Sequence, residues 1–149
     1  MQLSRLGYAV LIALALGTVG CDESLSELTG PTPDLEPTFS SIQQQIFSSG
    51  DSSGRPACTN CHNAIGSRFN GLDLTAAVSY SNLVNVPSRF KGGAVRVIPS
   101  DPENSYLIHK LEGRSGIVGV RMPMNGPPYL TAGQILVIRR WIELGARND

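Results

Sequence analysis

Cysteine, histidine and net charge are all scarce in this 149-residue chain, and each scarcity excludes a class of protein. Three cysteines and two histidines leave few candidates for the four ligands of a structural zinc site. The 12 basic and 12 acidic side chains balance, and they form no basic patch of the kind that nucleic-acid binding requires. No strong strand pattern is present, so the α/β surroundings of a thioredoxin-like dithiol are missing as well. We therefore expect no nucleic-acid partner.

Cys58, Cys61 and His62 form a C-x-x-C-H run, which is the attachment signature of a c-type haem. Each thiol adds to one vinyl group of the porphyrin, and the two-residue gap matches the spacing of those groups. The histidine that follows then lies beneath the iron as an axial ligand. The run predicts one covalently attached haem c. The alternatives are dithiol chemistry and a zinc site, for which Cys21 and His109 are the only further candidate ligands.

The N-terminus has the layout of an export signal. Residues 1–5 carry one positive charge, residues 6–16 are apolar, and small residues follow. The apolar core is too short for a comfortable membrane span, although an uncleaved anchor is the alternative. We assign residues 1–20 to a signal peptide. Because haem c is attached after export in bacteria, the signal and the C-x-x-C-H run predict the same location.

Residues 18–21, Thr-Val-Gly-Cys, resemble the end of a bacterial lipoprotein signal, although Thr18 stands where a large aliphatic residue is usual. We expect Cys21 to be lipidated, since each buried CH₂ of an acyl chain adds ~0.8 kcal/mol of membrane affinity; secretion with a spare thiol is the alternative. Residues 21–37 are predicted to be a lipidated N-terminus and flexible tether, rich in acids and prolines. The prediction is a lipoprotein anchored on the periplasmic side, in either the inner or the outer membrane.

The folded domain is predicted to span residues 38–149 and to be all-α. The last helix has the clearest signals, because Thr131 and Gln134 form a capping box and Gly145 closes it. Its single tryptophan, Trp141, is expected in the core rather than as a redox relay. Residues 92–98 are expected to be extended. Apolar spacing and start signals predict the other helices over residues 39–47, 75–84 and 100–113.

A methionine in a Gly/Pro-rich stretch is the best candidate for the second axial ligand. Met122 lies 60 residues after His62 and directly precedes a proline. A thioether stabilises ferrous iron and raises the reduction potential relative to a second imidazole. Met124, His109 and an open distal site are the alternatives.

At this point the chain resembles a class I cytochrome c, and more narrowly the small cytochrome c domains of planctomycete-type and related bacterial proteins. The resemblance implies an all-α class I cytochrome c fold, with crossing N- and C-terminal helices around one covalently bound haem. It also implies Met122 as the sixth ligand, because the family ligand directly precedes proline. The matching motifs, in order, are the C-x-x-C-H run and residues 99–107, 121–131 and 138–146.

These features predict one-electron transfer by a mono-haem, His/Met-ligated cytochrome that is not an enzyme and that meets redox partner proteins briefly. An accessory subunit of a larger enzyme, or a ligand-binding or peroxidase-like protein with an open distal site, is the alternative. Leu72 and Leu74 are expected to cover the porphyrin face, and Arg121 to lie near a propionate. Arg139 and Arg140 are expected to be solvated.

Overall fold

Short helices joined by long loops make up the part of the chain that the structure, a computed structural model, describes: residues 30–149. The predicted signal peptide and Cys21 lie outside the described residues. None of the helices within 30–149 is long and apolar enough to cross a membrane. The helices are α1 (Phe39–Ile42), which continues as a π-helical turn (Gln43–Phe47), α2 (Ser67–Asn70), α3 (Ser79–Leu83), α4 (Tyr106–Glu112) and α5 (Ala132–Glu143).

The prediction of an extended segment over residues 92–98 is only partly correct: residues 92–93 form a turn, residues 95–98 contain bridges, and no sheet is present within the described residues. The bridges are isolated ones, in which Val95 meets Pro87 and Ser105 and Val97 meets Val84. The helix-rich composition agrees with the predicted all-α class. Whether the helices follow the class I cytochrome c arrangement stays a prediction.

The two ends of the domain pack together around Trp141. This side chain is 1% exposed, and its ring lies 5.4 Å from that of Phe39 on α1. Its indole nitrogen donates a hydrogen bond to the Arg147 carbonyl at 2.8 Å. The Ser40 amide donates to the Asp149 carbonyl at 2.9 Å, so α1 is also tied to the C-terminus. The prediction that Trp141 is a core residue is confirmed.

The capping box of α5 is confirmed and reaches further than predicted. Thr131 Oγ1 accepts from the Gln134 amide at 3.1 Å, and Gln134 Oε1 accepts from the Thr131 amide at 2.9 Å. The same Gln134 side chain is fully buried and donates through Nε2 to Thr32 Oγ1 at 2.9 Å. Gln134 therefore completes the capping box of α5 and also holds the segment before α1, through Thr32.

The hydrogen bond between Gln134 and Thr32 shows that the flexible tether, predicted over residues 21–37, extends too far toward the C-terminus. Leu35 is 1% exposed within the core, and Gln45 Nε2 donates to the Asp34 carbonyl at 2.8 Å. The prolines and acids around Leu35 suggested a solvated linker, but burial of one apolar side chain outweighs that composition. The packed part of the chain begins before Thr38, at about Thr32.

Helix α4 begins later than predicted. It was expected to start at residue 100, but residues 101–104 form turns, because the Asp101 carboxylate accepts from the Asn104 amide at 3.1 Å. The helix starts at Tyr106 and ends, as predicted, at Gly113, whose φ of 73° suits glycine. Helix α3 similarly starts at Ser79 rather than at residue 75.

Candidate cofactor site

One large cavity, of about 640 Å³, opens among the described residues. Its volume falls within the range of roughly 300–1,000 Å³ that is usual for small-molecule sites. Four stretches of chain form most of its walls: residues 55–62 with the C-x-x-C-H turn, residues 70–96, helix α4, and the loop 118–125. Ile46, Phe47 and Leu130 complete the lining. The cavity therefore joins segments that are far apart in sequence.

The C-x-x-C-H run places all three of its functional side chains on this cavity. Cys58 to Asn60 form a 3₁₀ turn, in which the Cys61 and His62 amides both donate to the Cys58 carbonyl, at 3.2 and 2.9 Å. A turn of this tightness brings two cysteines separated by two residues to one side of the chain. Cys58, Cys61 and His62 therefore line one cavity, and their role in haem attachment stays a prediction.

The Cys58 thiol is in an environment that keeps it protonated. Its Sγ donates to the Ile46 carbonyl at 3.4 Å, and burial raises its pKa to about 11. Redox-active dithiols have lowered thiol pKa values, since the thiolate is the nucleophile. The raised pKa therefore disfavours the thioredoxin-like alternative. Cys58 and Cys61 are not joined to each other by a disulfide.

A rigid loop behind the run fixes its position. Asn70 Nδ2 donates to the Cys61 carbonyl at 2.8 Å, and Asn63 Oδ1 accepts from the Gly66 amide at 2.9 Å. A Cβ at Gly66 would lie 1.8 Å from the Cys61 carbonyl oxygen, so only glycine fits there. Sequence reasoning missed these residues, although Asn63, directly after the run, and Gly66, three residues later, were a readable turn signal.

His62 is oriented by the backbone on the far side of its ring. Nδ1 lies 3.3 Å from the Leu72 carbonyl, and because a carbonyl only accepts, the proton is assigned to Nδ1 and Nε2 is the unprotonated nitrogen. Burial, partly offset by that hydrogen bond, lowers the pKa of His62 below its ordinary value. The neutral imidazole is the form that binds a metal, and a carbonyl partner on the other nitrogen is the usual support for such a ligand.

The structure separates the three candidates for the sixth ligand. Met122 lines the cavity, packs against the core, and is held by its amide, which donates to the Lys110 carbonyl at 2.9 Å. Met124 also lines the cavity but is 70% exposed. His109 does not line it, and His109 Nε2 lies 2.6 Å from the Glu103 carbonyl. A bis-histidine site with His62 is therefore not supported.

Apolar side chains supply most of the cavity wall. Leu72 and Leu74 both line it, as the sequence suggested, together with Leu83, Leu107 and Leu111. Phe90, Val118 and Val120 lie on the same cavity and are about half exposed. The site therefore suits a large, mostly apolar ligand.

The charged side chains on the cavity are all cationic. Arg55, Arg89, Arg96 and Lys110 line it, and no Asp or Glu does. Arg96 donates to the carbonyls of Gly71 and Asn82, both at 2.6 Å. Arg89, Arg96 and Lys110 form no ion pair with any described residue, so their charge is available to an anion. Sequence reasoning did not select these cations.

Arg121, which was expected near a propionate, lies elsewhere. Its Nε donates to the Leu111 carbonyl at 2.7 Å, and its guanidinium stacks on the Tyr129 ring at 4.2 Å, away from the cavity. Arg139 is also not solvated as predicted, because it is 19% exposed and pairs with Glu112 at 3.2 Å. Arg140 is 59% exposed, as expected.

The zinc alternative has no ligand set within residues 30–149, where no three His, Cys, Asp or Glu side chains gather. Cys21, one of its candidate ligands, lies outside the described residues. No family model, curated protein or solved structure matches this chain. The function is accordingly argued from the cavity itself.

Proposed function

We propose that this chain is an electron-transfer protein that holds one haem c and passes a single electron at a time. The observation that carries the proposal is the convergence of four side chains on one apolar cavity: Cys58, Cys61, His62 and, 60 residues later, Met122. Two thiols and an imidazole in this order form a haem-attachment signature. A thioether in the same cavity supplies the remaining ligand for six-coordinate iron.

The residues of the cavity fit this group in both shape and charge. A haem is a broad apolar ring with two carboxylate arms, and among the described residues the cavity offers an apolar wall, three unpaired cations (Arg89, Arg96 and Lys110) and no carboxylate. Complementary charge favours an anionic ligand over a neutral one. The three unpaired cations therefore favour a haem over an uncharged apolar molecule of the same size.

When bound, the haem supplies the one-electron redox chemistry of its iron. The chain's own residues hold and tune it. Cys58 and Cys61 form the thioethers, and His62 presents Nε2 because the Leu72 carbonyl holds Nδ1. Met122 supplies a soft, neutral sulfur, which favours the ferrous state. The leucines of the wall exclude water, so little solvent has to reorganise when the charge changes.

Redox partner proteins have an exposed apolar surface available beside the attachment turn. Ile65 and Phe69 are 73% and 80% exposed, and they lie in the segment 63–70, which ends in α2 and which the Asn63 and Asn70 hydrogen bonds hold in place. Small, short-lived interfaces of less than about 1,200 Å² are usual for electron transfer. We place such contacts around this segment, close to Cys61 and His62.

The sixth ligand is tested by comparing Met122→Ala with Met124→Ala. The ferric wild-type protein is expected to show the weak long-wavelength absorption band of methionine-ligated haem. Met122→Ala should lose that band and lower the reduction potential by about 59 mV or more, a tenfold change in the redox equilibrium. Met124→Ala should keep both properties. The reverse pattern would assign the ligand to Met124, and a wild type without the band would indicate an open or differently ligated site.

The proposed anchor is tested through Cys21, on the periplasmic side of a bacterial membrane. Cys21→Ser is expected to move the protein from the membrane fraction to the soluble fraction, because the acyl chains on this residue provide the membrane affinity. Immunoblots of the two fractions measure the change. Retention of the variant in the membrane would favour an uncleaved N-terminal helix instead.

A further inference from the structure

Helix α4 serves as the platform for the loop that carries Met122. The Tyr106 hydroxyl accepts from the Val118 amide at 2.8 Å, near the start of the helix. Near its end, the Leu111 carbonyl accepts from Arg121 Nε at 2.7 Å. Contacts at both ends of the helix therefore hold both ends of the segment 118–121, which lies directly before the methionine.

Lys110 makes the central contacts of this platform, and it makes three of them. Its carbonyl accepts from the Met122 amide at 2.9 Å. Its Nζ donates to the carbonyls of Val118 and Val120, at 2.9 and 2.5 Å. Gly119 lies between those two acceptors with a φ of 73°, a left-handed conformation that lets both carbonyls turn toward one ammonium group. Lys110 thus holds the loop by side chain and by backbone.

The geometry points to Lys110 as a positioning residue that holds Met122 at the iron and so controls how easily another ligand displaces the methionine. This inference rests on the proposed haem site. Hydrogen bonds from a charged donor are about twice as strong as neutral ones. Lys110 has no carboxylate partner among the described residues, so the two loop carbonyls are the acceptors for its charge.

Displacing Met122 requires the loop to move away from the cavity. The apparent affinity for an exogenous ligand therefore follows the fraction of molecules in which the loop is open. Removing the two ammonium hydrogen bonds raises that fraction, while every proposed ligand and the hydrogen bond from the Met122 amide to the residue-110 carbonyl stay in place. Lys110 itself touches the loop rather than the iron site's ligating atoms.

A second lysine provides a matched control. Lys91 Nζ donates to the Gly116 carbonyl at 2.8 Å, so it too ties a lysine to a carbonyl of the same loop. Its acceptor is six residues before Met122, and Lys91 does not line the cavity. The same substitution at Lys91 therefore removes one cation and one loop contact at a distance from the methionine.

The experiment titrates imidazole into the ferric full-length protein and follows loss of the methionine–iron band. Lys110→Gln is expected to bind imidazole about tenfold more tightly than the wild type, as a charge-assisted bond implies. Lys91→Gln should stay within about twofold of it. Lys110→Arg, which keeps a cationic donor, should recover most of the wild-type value. Thermal melting confirms that each variant is folded.

Equal imidazole affinity in Lys110→Gln and Lys91→Gln would overturn the inference while leaving the haem site intact. A wild-type chain that lacks covalent haem or the methionine band would overturn the proposed function and this inference with it. If Lys110→Gln does not fold, Lys110→Met, which keeps the apolar stem, takes its place. If Lys110→Met bound imidazole with the wild-type affinity, that result would also overturn the inference.

Discussion

The Cys58→Ser/Cys61→Ser protein is expected to contain no covalently bound haem. The thioether links require both sulfurs, and a serine hydroxyl does not replace a thiol in this addition. His62 and Met122 alone would leave any haem held only by ligation and packing, and denaturation would then release it. The measurement is haem staining of a denaturing gel, on protein exported from bacteria that carry out c-type haem attachment.

Cys21→Ser is the matched control for that experiment, because it makes the same substitution at the one cysteine outside the site. It should retain the full haem stain. A double variant that still carries covalent haem would show that the attachment site had been assigned wrongly. Loss of haem in Cys21→Ser instead would move the assignment to the N-terminus.

The second large effect concerns a buried ion pair next to the C-x-x-C-H turn. Arg55 and Asp51 are joined at 2.9 Å, and their side chains are 1% and 2% exposed. Arg55 also donates to the carbonyls of Ile46 and Ser49, at the end of the first helical segment. Removing one partner of such a pair leaves a buried, uncompensated charge, so Asp51→Ala is expected to lower the free energy of unfolding by about 3–5 kcal/mol.

Urea denaturation of the full-length protein measures this change. Glu143→Ala is the control, because it removes a carboxylate from an exposed pair with Arg140 and should cost less than about 1 kcal/mol. Similar losses in the two variants would contradict a structural role for the buried pair. Asp51→Ala should also shift Cys58. Asp51 holds Arg55, and the Ile46 carbonyl accepts hydrogen bonds from both Arg55 and Cys58.

The contribution of Asp51 to the free energy of unfolding is expected to depend on pH. Burial raises its pKa, but hydrogen bonds from Ser53 and Arg55 outweigh burial and hold the pKa below its ordinary value of 3.8. A carboxyl whose pKa is lower in the folded state stabilises the fold above the unfolded pKa. The difference between wild type and Asp51→Ala should therefore be full near neutral pH and shrink as the pH falls below about 3.8.

Local patterns were the part of this molecule that could be predicted from sequence. The Thr131–Gln134 capping box and the stop of α4 at Gly113 depend on residues within a few positions, and both are present as predicted. The start of α4 was wrong because side chains satisfy backbone groups there in place of a helical turn: the Asp101 carboxylate accepts from the Asn104 amide, and the Ser105 hydroxyl donates to the Asp101 carbonyl.

The contacts that complete the cavity depend on the tertiary fold, and they were not predictable in the same way. An arginine such as Arg55 is expected at the surface, yet here it is buried because five acceptors converge on its guanidinium. The side chains of Lys110 and Arg96 are held at the cavity by hydrogen bonds to carbonyls that lie 8 to 25 residues away along the chain. No spacing rule connects such partners.

The mass of the purified wild-type protein after unfolding tests the central claim most directly. If Cys58 and Cys61 hold a haem, a proteolytic peptide that contains residues 58–62 should carry the mass of one haem, with neither thiol free to react with an alkylating reagent. The same peptide at its unmodified mass, with both thiols alkylated, would contradict covalent haem attachment.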